Sequence, residues 1–187
     1  MSYQKFPLHT SATAPAAAKP AFEKLEKTMG FIPNLYAHLA EAPAALYGYL
    51  ALSDQFKQAS LSPVEQQVVL ISASIVNGCD YCAAAHSFVA RNLVKADGKV
   101  IDALRARRDL PDARLNALAR FTREMVETRG RPAPAAVTAF YAAGFDQRAV
   151  LEVITGIALK TLSNYMNHIT DTPLDATFEP ERWNDAA

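Results

Sequence analysis

Residues 77–86 read Asn77-Gly78-Cys79-Asp80-Tyr81-Cys82-Ala83-Ala84-Ala85-His86, and they contain both cysteines of the 187-residue chain. The Asn77-Gly78 pair ends the apolar run before it, so the pattern predicts a helix that begins near Cys79. On that helix Cys79, Cys82 and His86 occupy positions i, i+3 and i+7 and share one face. The stretch therefore predicts two thiols and an imidazole that lie together at a helix N-terminus.

These residue types at this spacing favour redox chemistry. A helix N-terminus and a neighbouring imidazole both lower the pKa of a thiol, and the thiolate is the reactive form. The imidazole can also take the thiol proton as the sulfur attacks. A second cysteine one turn away can resolve an oxidised sulfur as a disulfide before further oxidation. The stretch is thus typical of a dithiol peroxidase or a disulfide exchanger.

Two other interpretations use the same residues. Cys79, Cys82 and His86 could be three ligands of a zinc site, with His38 or His168 as the fourth donor. Both cysteines could instead be buried and inert, since free cysteine is among the most buried residue types. The CxxC spacing, in a chain with no other cysteine, favours the redox interpretation over both.

The composition predicts a single domain with a core of ordinary size. Half of the residues are hydrophobic, and 19 basic residues balance 19 acidic ones. The basic cluster Arg105, Arg107, Arg108 and Arg114 is interleaved with Asp102, Asp109 and Asp112. This alternation indicates a solvated helix face, so we expect no nucleic-acid partner.

The N-terminal sequence carries no apolar block like that of a secretory signal. No uninterrupted apolar run in the sequence is long enough to span a bilayer. We therefore expect a cytoplasmic protein with no membrane partner. In that compartment a lone CxxC pair is more often catalytic or redox-active than a structural disulfide.

The pattern along the chain predicts an all-α fold, because no segment alternates convincingly enough to be a strand. We expect an extended N-terminal arm over residues 1–20, one helical domain over residues 21–175 and a C-terminal tail over residues 176–187. Ser62-Pro63-Val64-Glu65 predicts the clearest helix start, in which Glu65 completes a capping box rather than serving as a catalytic acid. Gln67, on the apolar face of that helix, is expected to point inward and to need partners.

A faint internal repeat relates two parts of the sequence. A shift of 85 residues aligns Gln67 with Glu152, Cys79 with Asn164 and Cys82 with Asn167. The alignment suggests two related helical halves, although apolar helices also align by chance. Asn164-Tyr165-Met166-Asn167-His168 is polar within an apolar helix, so it either forms a satisfied network or lines a pocket opposite the thiols.

The four residues Gln67, Cys79, Cys82 and His86 fit the pattern Glu/Gln-x11-Cys-x2-Cys-x3-His. This pattern resembles the alkylhydroperoxidase D-like core of the carboxymuconolactone decarboxylase superfamily. The stretches 77–82 and 164–168 are similar to the peroxidase-related branch of that family. The resemblance covers roughly residues 20–175 and is strongest around the cysteines.

The resemblance implies an all-helical AhpD-like fold, assembly into homotrimers or homohexamers, and thiol chemistry without a metal or an organic cofactor. By position it makes Cys82 the thiol that attacks, Cys79 the resolving thiol and His86 the base. The glutamate that orients the histidine in the family falls on Gln67, whose amide accepts no proton at neutral pH. Either Gln67 positions a water, or Glu152 replaces the glutamate, or the activity is weaker. Tyr81 stands where the best-known members have a histidine between the cysteines.

The sequence therefore predicts a thiol-dependent peroxidase that reduces hydroperoxides and is recharged by a small dithiol or a redox protein. A disulfide reductase or a redox sensor would use the same cysteines. A cofactor-free decarboxylase or lactone-ring enzyme, with His86 as base, is disfavoured because such relatives generally lack the CxxC pair. A helical oligomeric module with a vestigial cysteine pair is the non-enzymatic alternative.

Overall fold

The computed structural model describes residues 5–184, and this part of the chain contains α-helices but no β-strand. The helices are α1 (Lys19–Met29), α2 (Asn34–Leu39), α3 (Pro43–Phe56), α4 (Pro63–Val76), α5 (Asp80–Phe88), α6 (Gly98–Arg105), α7 (Ala113–Glu127), α8 (Pro134–Ala142) and α9 (Gln147–Thr170). One π-helical turn (Val89–Leu93) extends α5, and two 3₁₀ turns flank the helices (Ala16–Ala18 and Ala176–Glu181). The predicted all-α class is confirmed. Within residues 5–184 no helix is both long and apolar enough to cross a membrane.

Helix α4 lies at the centre of the fold, where it contacts α5, α6, α7 and α9. Its sequence explains the position, because a helix that is apolar on nearly every side is stable only when it is surrounded. The predicted capping box starts the helix: the Ser62 hydroxyl accepts from the Glu65 amide, and the Glu65 carboxylate accepts from the Ser62 amide at 2.8 Å. Glu65 is therefore a capping residue, as predicted.

Helix α9 approaches α4 and α3 closely at Gly156. A Cβ atom at this position would lie 2.7 Å from Val69 Cγ1 and 2.8 Å from Phe56 Cζ, closer than such atoms approach in proteins. Only glycine therefore fits without movement of the Val69 and Phe56 side chains. The next three turns of α9, which include Lys160 and Asn167, lie against the start of α5.

The turn between α4 and α5 sets the position of the cysteines. Gly78 has a φ of 65°, which glycine adopts without steric cost, and the Cys79 amide donates to Ser74 O at 2.9 Å. Helix α9, in contrast, runs without a break through Asn164 and Asn167. The 85-residue shift thus aligns the start of α5 with the interior of α9. The relation between two helical halves stays a prediction.

Both terminal segments contact the helical body where the structure describes them. On the N-terminal side, Pro7 O accepts from His38 Nδ1 at 3.1 Å, and Ala14 and Ala18 are buried. On the C-terminal side, the Phe178 ring lies among aromatic rings of the body, and Trp183 Nε1 donates to Arg105 O at 3.1 Å. The predicted arm and tail also include residues 1–4 and 185–187, which lie outside the described part. The domain boundaries stay a prediction.

Candidate active site

Cys79 and Cys82 lie at the N-terminus of α5, where the sequence places the start of a helix. Cys79 is the N-cap residue and Cys82 is in the first turn. Both are free thiols, and both are buried. The unpaired amides of the first helical turn and the partial positive charge of the helix end favour a thiolate here.

Four polar residues of α9 face these thiols, and all four are buried. They are Lys160, Ser163, Asn164 and Asn167, which occupy positions i, i+3, i+4 and i+7 and therefore form one helix face. Asn164 and Asn167 are the polar residues that the sequence suggested for a pocket opposite the cysteines. The sequence analysis missed Lys160 and Ser163, although the same i, i+3, i+4, i+7 spacing of polar residues within an apolar helix would have identified them.

The sulfur of Cys82 is surrounded by groups that can donate hydrogen bonds. Asn167 Nδ2 lies 3.3 Å from Cys82 Sγ and 3.7 Å from Cys79 Sγ, so one amide spans both sulfurs. Lys160 Nζ donates to the Cys82 sulfur from 3.8 Å, and Ser163 Oγ, 3.6 Å away, accepts from the Cys82 thiol and can donate to the thiolate. This environment suits a negative charge on Cys82.

The two thiols differ in acidity. A hydrogen bond from the Cys79 thiol holds the pKa of Cys82 well below its ordinary value. Burial acts in the opposite direction. The charge of Lys160 and the side chains of Ser163 and Asn164 lower the pKa further. The same hydrogen bond, together with burial, raises the pKa of Cys79. The environment therefore favours a thiolate at Cys82 and a protonated thiol at Cys79.

Both ring nitrogens of His86 form hydrogen bonds. Nδ1 lies 3.0 Å from Gln67 Oε1, and Nε2 lies 2.8 Å from Lys160 Nζ. Since the Gln67 oxygen only accepts hydrogen bonds, His86 donates through Nδ1–H and accepts at Nε2 from Lys160. Burial, and then the charge of Lys160, lowers the pKa of His86 well below its ordinary value. Gln67 thus faces inward as predicted, and Lys160 contacts both the imidazole and the Cys82 thiol.

The remaining candidate residues divide into two groups. Asn164 lies in the site, and its Oδ1 accepts from Asn77 Nδ2 at 2.8 Å. Tyr81 connects α5 to neighbouring segments, because its hydroxyl donates to Asp175 Oδ2 at 2.6 Å and accepts from the Leu35 amide at 3.3 Å.

The structure does not bring Glu152 to the cysteines. Its carboxylate accepts from the Ser60 amide at 2.8 Å and pairs with Arg148 at 2.9 Å. Glu152 precedes Lys160 by eight residues on α9, which corresponds to about 12 Å along the helix axis. The suggested replacement of the family glutamate by Glu152 therefore has no geometric support.

The zinc interpretation also lacks a fourth ligand at the cysteines. His38 binds the backbone of Pro7, and the exposed His168 ring makes no hydrogen bond with either thiol. Across residues 5–184, no three His, Cys, Asp or Glu side chains are grouped as metal ligands.

Two cavities reach the cysteine pair from different sides, and Tyr81 lines both. The smaller, of about 100 Å³, adjoins Cys82, His86 and Lys160 and is otherwise mostly apolar, with Met29, Pro33, Leu35, Tyr36, Tyr49, Ala85, Val89 and Phe178 in its wall. The larger, of about 730 Å³, adjoins Cys79 and is lined by polar residues that include Asp80, His168, Asp171, Thr172, Glu179 and Arg182. The two thiols are thus next to different kinds of space.

Comparison with known proteins gives a family match over part of the chain. Residues 38–124 match the model of the carboxymuconolactone decarboxylase family, and this range includes Gln67, both cysteines and His86. No match was found among curated proteins.

Several solved structures share the fold. An alkylhydroperoxidase AhpD core protein from Ralstonia eutropha, described as an uncharacterized peroxidase-related protein, superposes with a TM-score of 0.82 at 22% identity over 93% of each chain. A peroxidase-related protein from a Silicibacter species gives a TM-score of 0.81 at 20% identity, over 95% of this chain and 94% of that one. The debrominase Bmp8, solved as a cysteine-to-alanine variant with 2,3,4-tribromopyrrole, gives 0.78 at 17% identity, over 97% of this chain and 96% of that one.

The predicted resemblance is therefore confirmed. The chain has the fold of the alkylhydroperoxidase D-like branch of the carboxymuconolactone decarboxylase superfamily, and its cysteine-bearing segment matches that family.

Proposed function

We propose that this protein is a thiol-dependent peroxidase in which Cys82 attacks a hydroperoxide and Cys79 resolves the product. The observation that carries the proposal is the asymmetry of the two thiols. Cys82 is surrounded by Asn167, Ser163 and Lys160, which favour the thiolate, whereas Cys79 stays protonated and hydrogen-bonded to it. A stabilised thiolate beside a protonated partner thiol is the arrangement that a dithiol peroxidase needs.

The reaction balances with these two residues and one external reductant. The Cys82 thiolate attacks the outer oxygen of the hydroperoxide, the O–O bond breaks, and the sulfur becomes a sulfenic acid while the alkoxide takes a proton and leaves as an alcohol. The Cys79 thiol then attacks the Cys82 sulfur, which forms a disulfide and releases water. An external dithiol reduces the disulfide and supplies the two electrons. No step needs a metal or an organic cofactor.

The two cavities support different partners for the two half-reactions. The small apolar cavity at Cys82 suits the organic part of a hydroperoxide, and its aromatic wall excludes larger polar molecules. The open polar cavity at Cys79 has room for the thiol group of a small dithiol or of a redox protein. We propose that this reductant belongs to the cytoplasm, where free thiols persist.

We further propose a homo-oligomer, either a trimer or a hexamer. Its support is a row of exposed apolar side chains along the outer face of α9. The row consists of Leu151, Ile154, Leu162, Tyr165 and Ile169. Such a contiguous exposed face is typical of a surface that another subunit covers.

Reductive debromination of an aromatic ring is the second candidate. It is favoured by the shared fold with Bmp8 and by the aromatic side chains of Tyr36, Tyr49 and Phe178 in the Cys82 cavity. Removal of bromine as bromide consumes two electrons, and oxidation of the two thiols to a disulfide supplies them. Both reactions use the same two thiols, so the cysteine variants alone do not distinguish the debrominase from the peroxidase. Assays with the two different substrates do.

The test is hydroperoxide consumption with a dithiol donor, measured for the unmodified protein, Cys82→Ser and Cys79→Ser. We expect both variants to lose turnover, and only Cys79→Ser to keep the single oxidation of Cys82. A bromopyrrole assayed in parallel, with bromide release as the readout, tests the second candidate. Absence of peroxide consumption with every donor, in a protein whose thiols react with alkylating agents, would refute the peroxidase proposal.

A further inference from the structure

We propose that Lys160 is a catalytic residue of this site: its ammonium group is the counter-ion of the Cys82 thiolate and the donor of the proton that the leaving alkoxide takes. His86 and Gln67 then act as positioning residues that hold the amine in place. The inference rests on the proposed function for its substrate, but the state of the thiol can be measured without any peroxide.

The first step is the burial of Lys160. Its side chain is fully buried, and within residues 5–184 no carboxylate forms an ion pair with it. A buried charge without a partner is very costly, so the amine stays protonated only beside an anion. Cys82, with its sulfur 3.8 Å from Nζ, is the group that can supply that negative charge.

The second step concerns the other titratable groups around the amine. Tyr36 of α2 and Tyr49 of α3 face it, and the Tyr49 ring centroid lies 5.9 Å from Nζ. Burial raises the pKa of both phenols above their ordinary value, so neither supplies an anion at neutral pH. His86 of α5 is neutral because burial lowers its pKa. Among the residues that the structure describes, the Cys82 thiolate is therefore the negative charge that can pair with the ammonium.

The third step is the position of His86. Its Nε2 accepts from Lys160 at 2.8 Å and its Nδ1–H donates to Gln67, so neither nitrogen is directed at the thiol. The imidazole that the sequence suggested as the base therefore contacts the sulfur only through Lys160. Of the two basic groups, the Lys160 amine is the one that contacts the Cys82 sulfur directly.

The proton balance of the peroxidase cycle then runs through Lys160. The ammonium gives one proton to the alkoxide as the O–O bond breaks, and the amine becomes neutral next to an uncharged sulfenic acid. The Cys79 thiol transfers its proton when it attacks Cys82, so that the hydroxide of the sulfenic acid leaves as water. When an external dithiol restores the thiols, the neutral amine takes the proton of Cys82 and the ion pair forms again.

The test compares Lys160→Met with Lys99→Met in the full-length protein. Methionine has a similar shape without the charge, and the Cys82 thiolate left without its counter-ion can take up a proton, so the variant need not hold an unpaired buried charge. Lys99 is exposed and makes no side-chain hydrogen bond in the structure, so it is the matched control. The readout is the rate of Cys82 alkylation as a function of pH, identified by mass spectrometry of the modified peptide.

We expect Lys160→Met to raise the apparent pKa of Cys82 by about one unit or more and so to slow alkylation about tenfold or more at pH values below that pKa, where each unit of pKa changes the thiolate population tenfold. The loss should disappear at alkaline pH, and Lys99→Met should match the unmodified protein. An unchanged pH profile in a folded Lys160→Met protein would overturn the proposal. Lys160→Gln, which is neutral but keeps a hydrogen-bond donor, gives the same test should the methionine variant fail to fold.

The variant His86→Leu distinguishes the effect of Lys160 on the thiol from the effect of the imidazole. If Lys160 holds the thiolate directly, His86→Leu slows alkylation less than Lys160→Met does; a larger effect of His86→Leu would overturn the proposal. The outcome is independent of the proposed function. A Cys82 pKa that depends on Lys160 in a protein without peroxidase turnover supports the counter-ion role and refutes both the reaction and the proton-donor role. Peroxidase turnover in a protein whose Cys82 pKa does not depend on Lys160 supports the reaction and overturns this inference.

Discussion

Substitution of Cys79 by alanine is expected to raise the pKa of Cys82 even though the altered residue is not the attacking thiol. The hydrogen bond from the Cys79 thiol is the largest of the contributions that lower the pKa of Cys82. Asn167, whose amide spans both sulfurs, remains in the variant and keeps part of the stabilisation. Cys79→Ala therefore removes one of several hydrogen-bond donors to the Cys82 thiolate.

The size of the effect follows from the strength of that bond. A hydrogen bond to a charged group contributes about 1.5–3 kcal/mol, and each unit of pKa corresponds to about 1.4 kcal/mol. The pKa of Cys82 should thus rise by about 1–2 units in Cys79→Ala. The charge of Lys160, 3.8 Å from the sulfur, is unchanged by the substitution, so the pKa should stay below that of an ordinary thiol.

The assay is the rate of reaction of Cys82 with iodoacetamide from about pH 4 to about pH 9, because only the thiolate reacts. Cys79→Ser is the matched control: its hydroxyl can still donate to the sulfur, and we expect it to keep most of the shift. Equal titration curves for Cys79→Ala and the unmodified protein would refute the reasoning. So would a serine variant that titrates like the alanine variant.

Three further predictions test the surroundings of the site. Gln67→Glu should raise the pKa of His86, because a carboxylate at Nδ1 favours the imidazolium; NMR titration of the ring would show this, and an unshifted resonance would contradict it. Gly156→Ala should destabilise the fold by about 1–2 kcal/mol in urea denaturation, because overpacking costs more than the gain in helix propensity. Gly48→Ala, where a Cβ meets no atom within 4 Å, should instead leave stability unchanged or slightly higher, and equal losses at both glycines would refute the packing explanation. Tyr165→Lys should lower the oligomeric state in size-exclusion chromatography with light scattering, and an unchanged mass would argue against an interface on α9.

The fold and the position of the cysteines were predictable because they depend on local patterns. The capping box at Ser62 and the break at Asn77-Gly78 are short-range features, and the helix boundaries follow from them. The inward orientation of Gln67 also follows from helix periodicity alone. Each of these predictions needs only the residues within a few turns of the position concerned.

The role assigned to His86 shows what a local pattern leaves open. The i, i+4 spacing predicts that an imidazole can reach the Cys82 thiol, and the helix does place both on one face. The spacing does not reveal that Lys160, 74 residues further along, contacts the same nitrogen. Which of two reachable partners a side chain binds depends on helices that pack from elsewhere in the sequence.

The internal alignment failed at Glu152 for a related reason. Apolar residues recur at similar spacing in any buried helix, so a shift that matches them carries little information about the polar positions between them. The polar residues of α9 have their own register, with Lys160 and Asn167 on the face toward α5. Glu152 lies about two turns earlier and binds Ser60 instead.

The presence of glutamine at position 67 is explained by the lysine at position 160. A glutamate bonded to His86 would favour the imidazolium, and its positive charge would then lie next to the Lys160 ammonium at a distance of 2.8 Å between the nitrogens. The neutral amide of Gln67 instead keeps the imidazole neutral, so that Nε2 remains an acceptor for the ammonium. In the proposed ion pair, one positive charge on Lys160 then balances one negative charge on Cys82, and the buried network carries no net charge. The proposed ion pair therefore accounts for a neutral amide at position 67, where the resemblance predicts a glutamate.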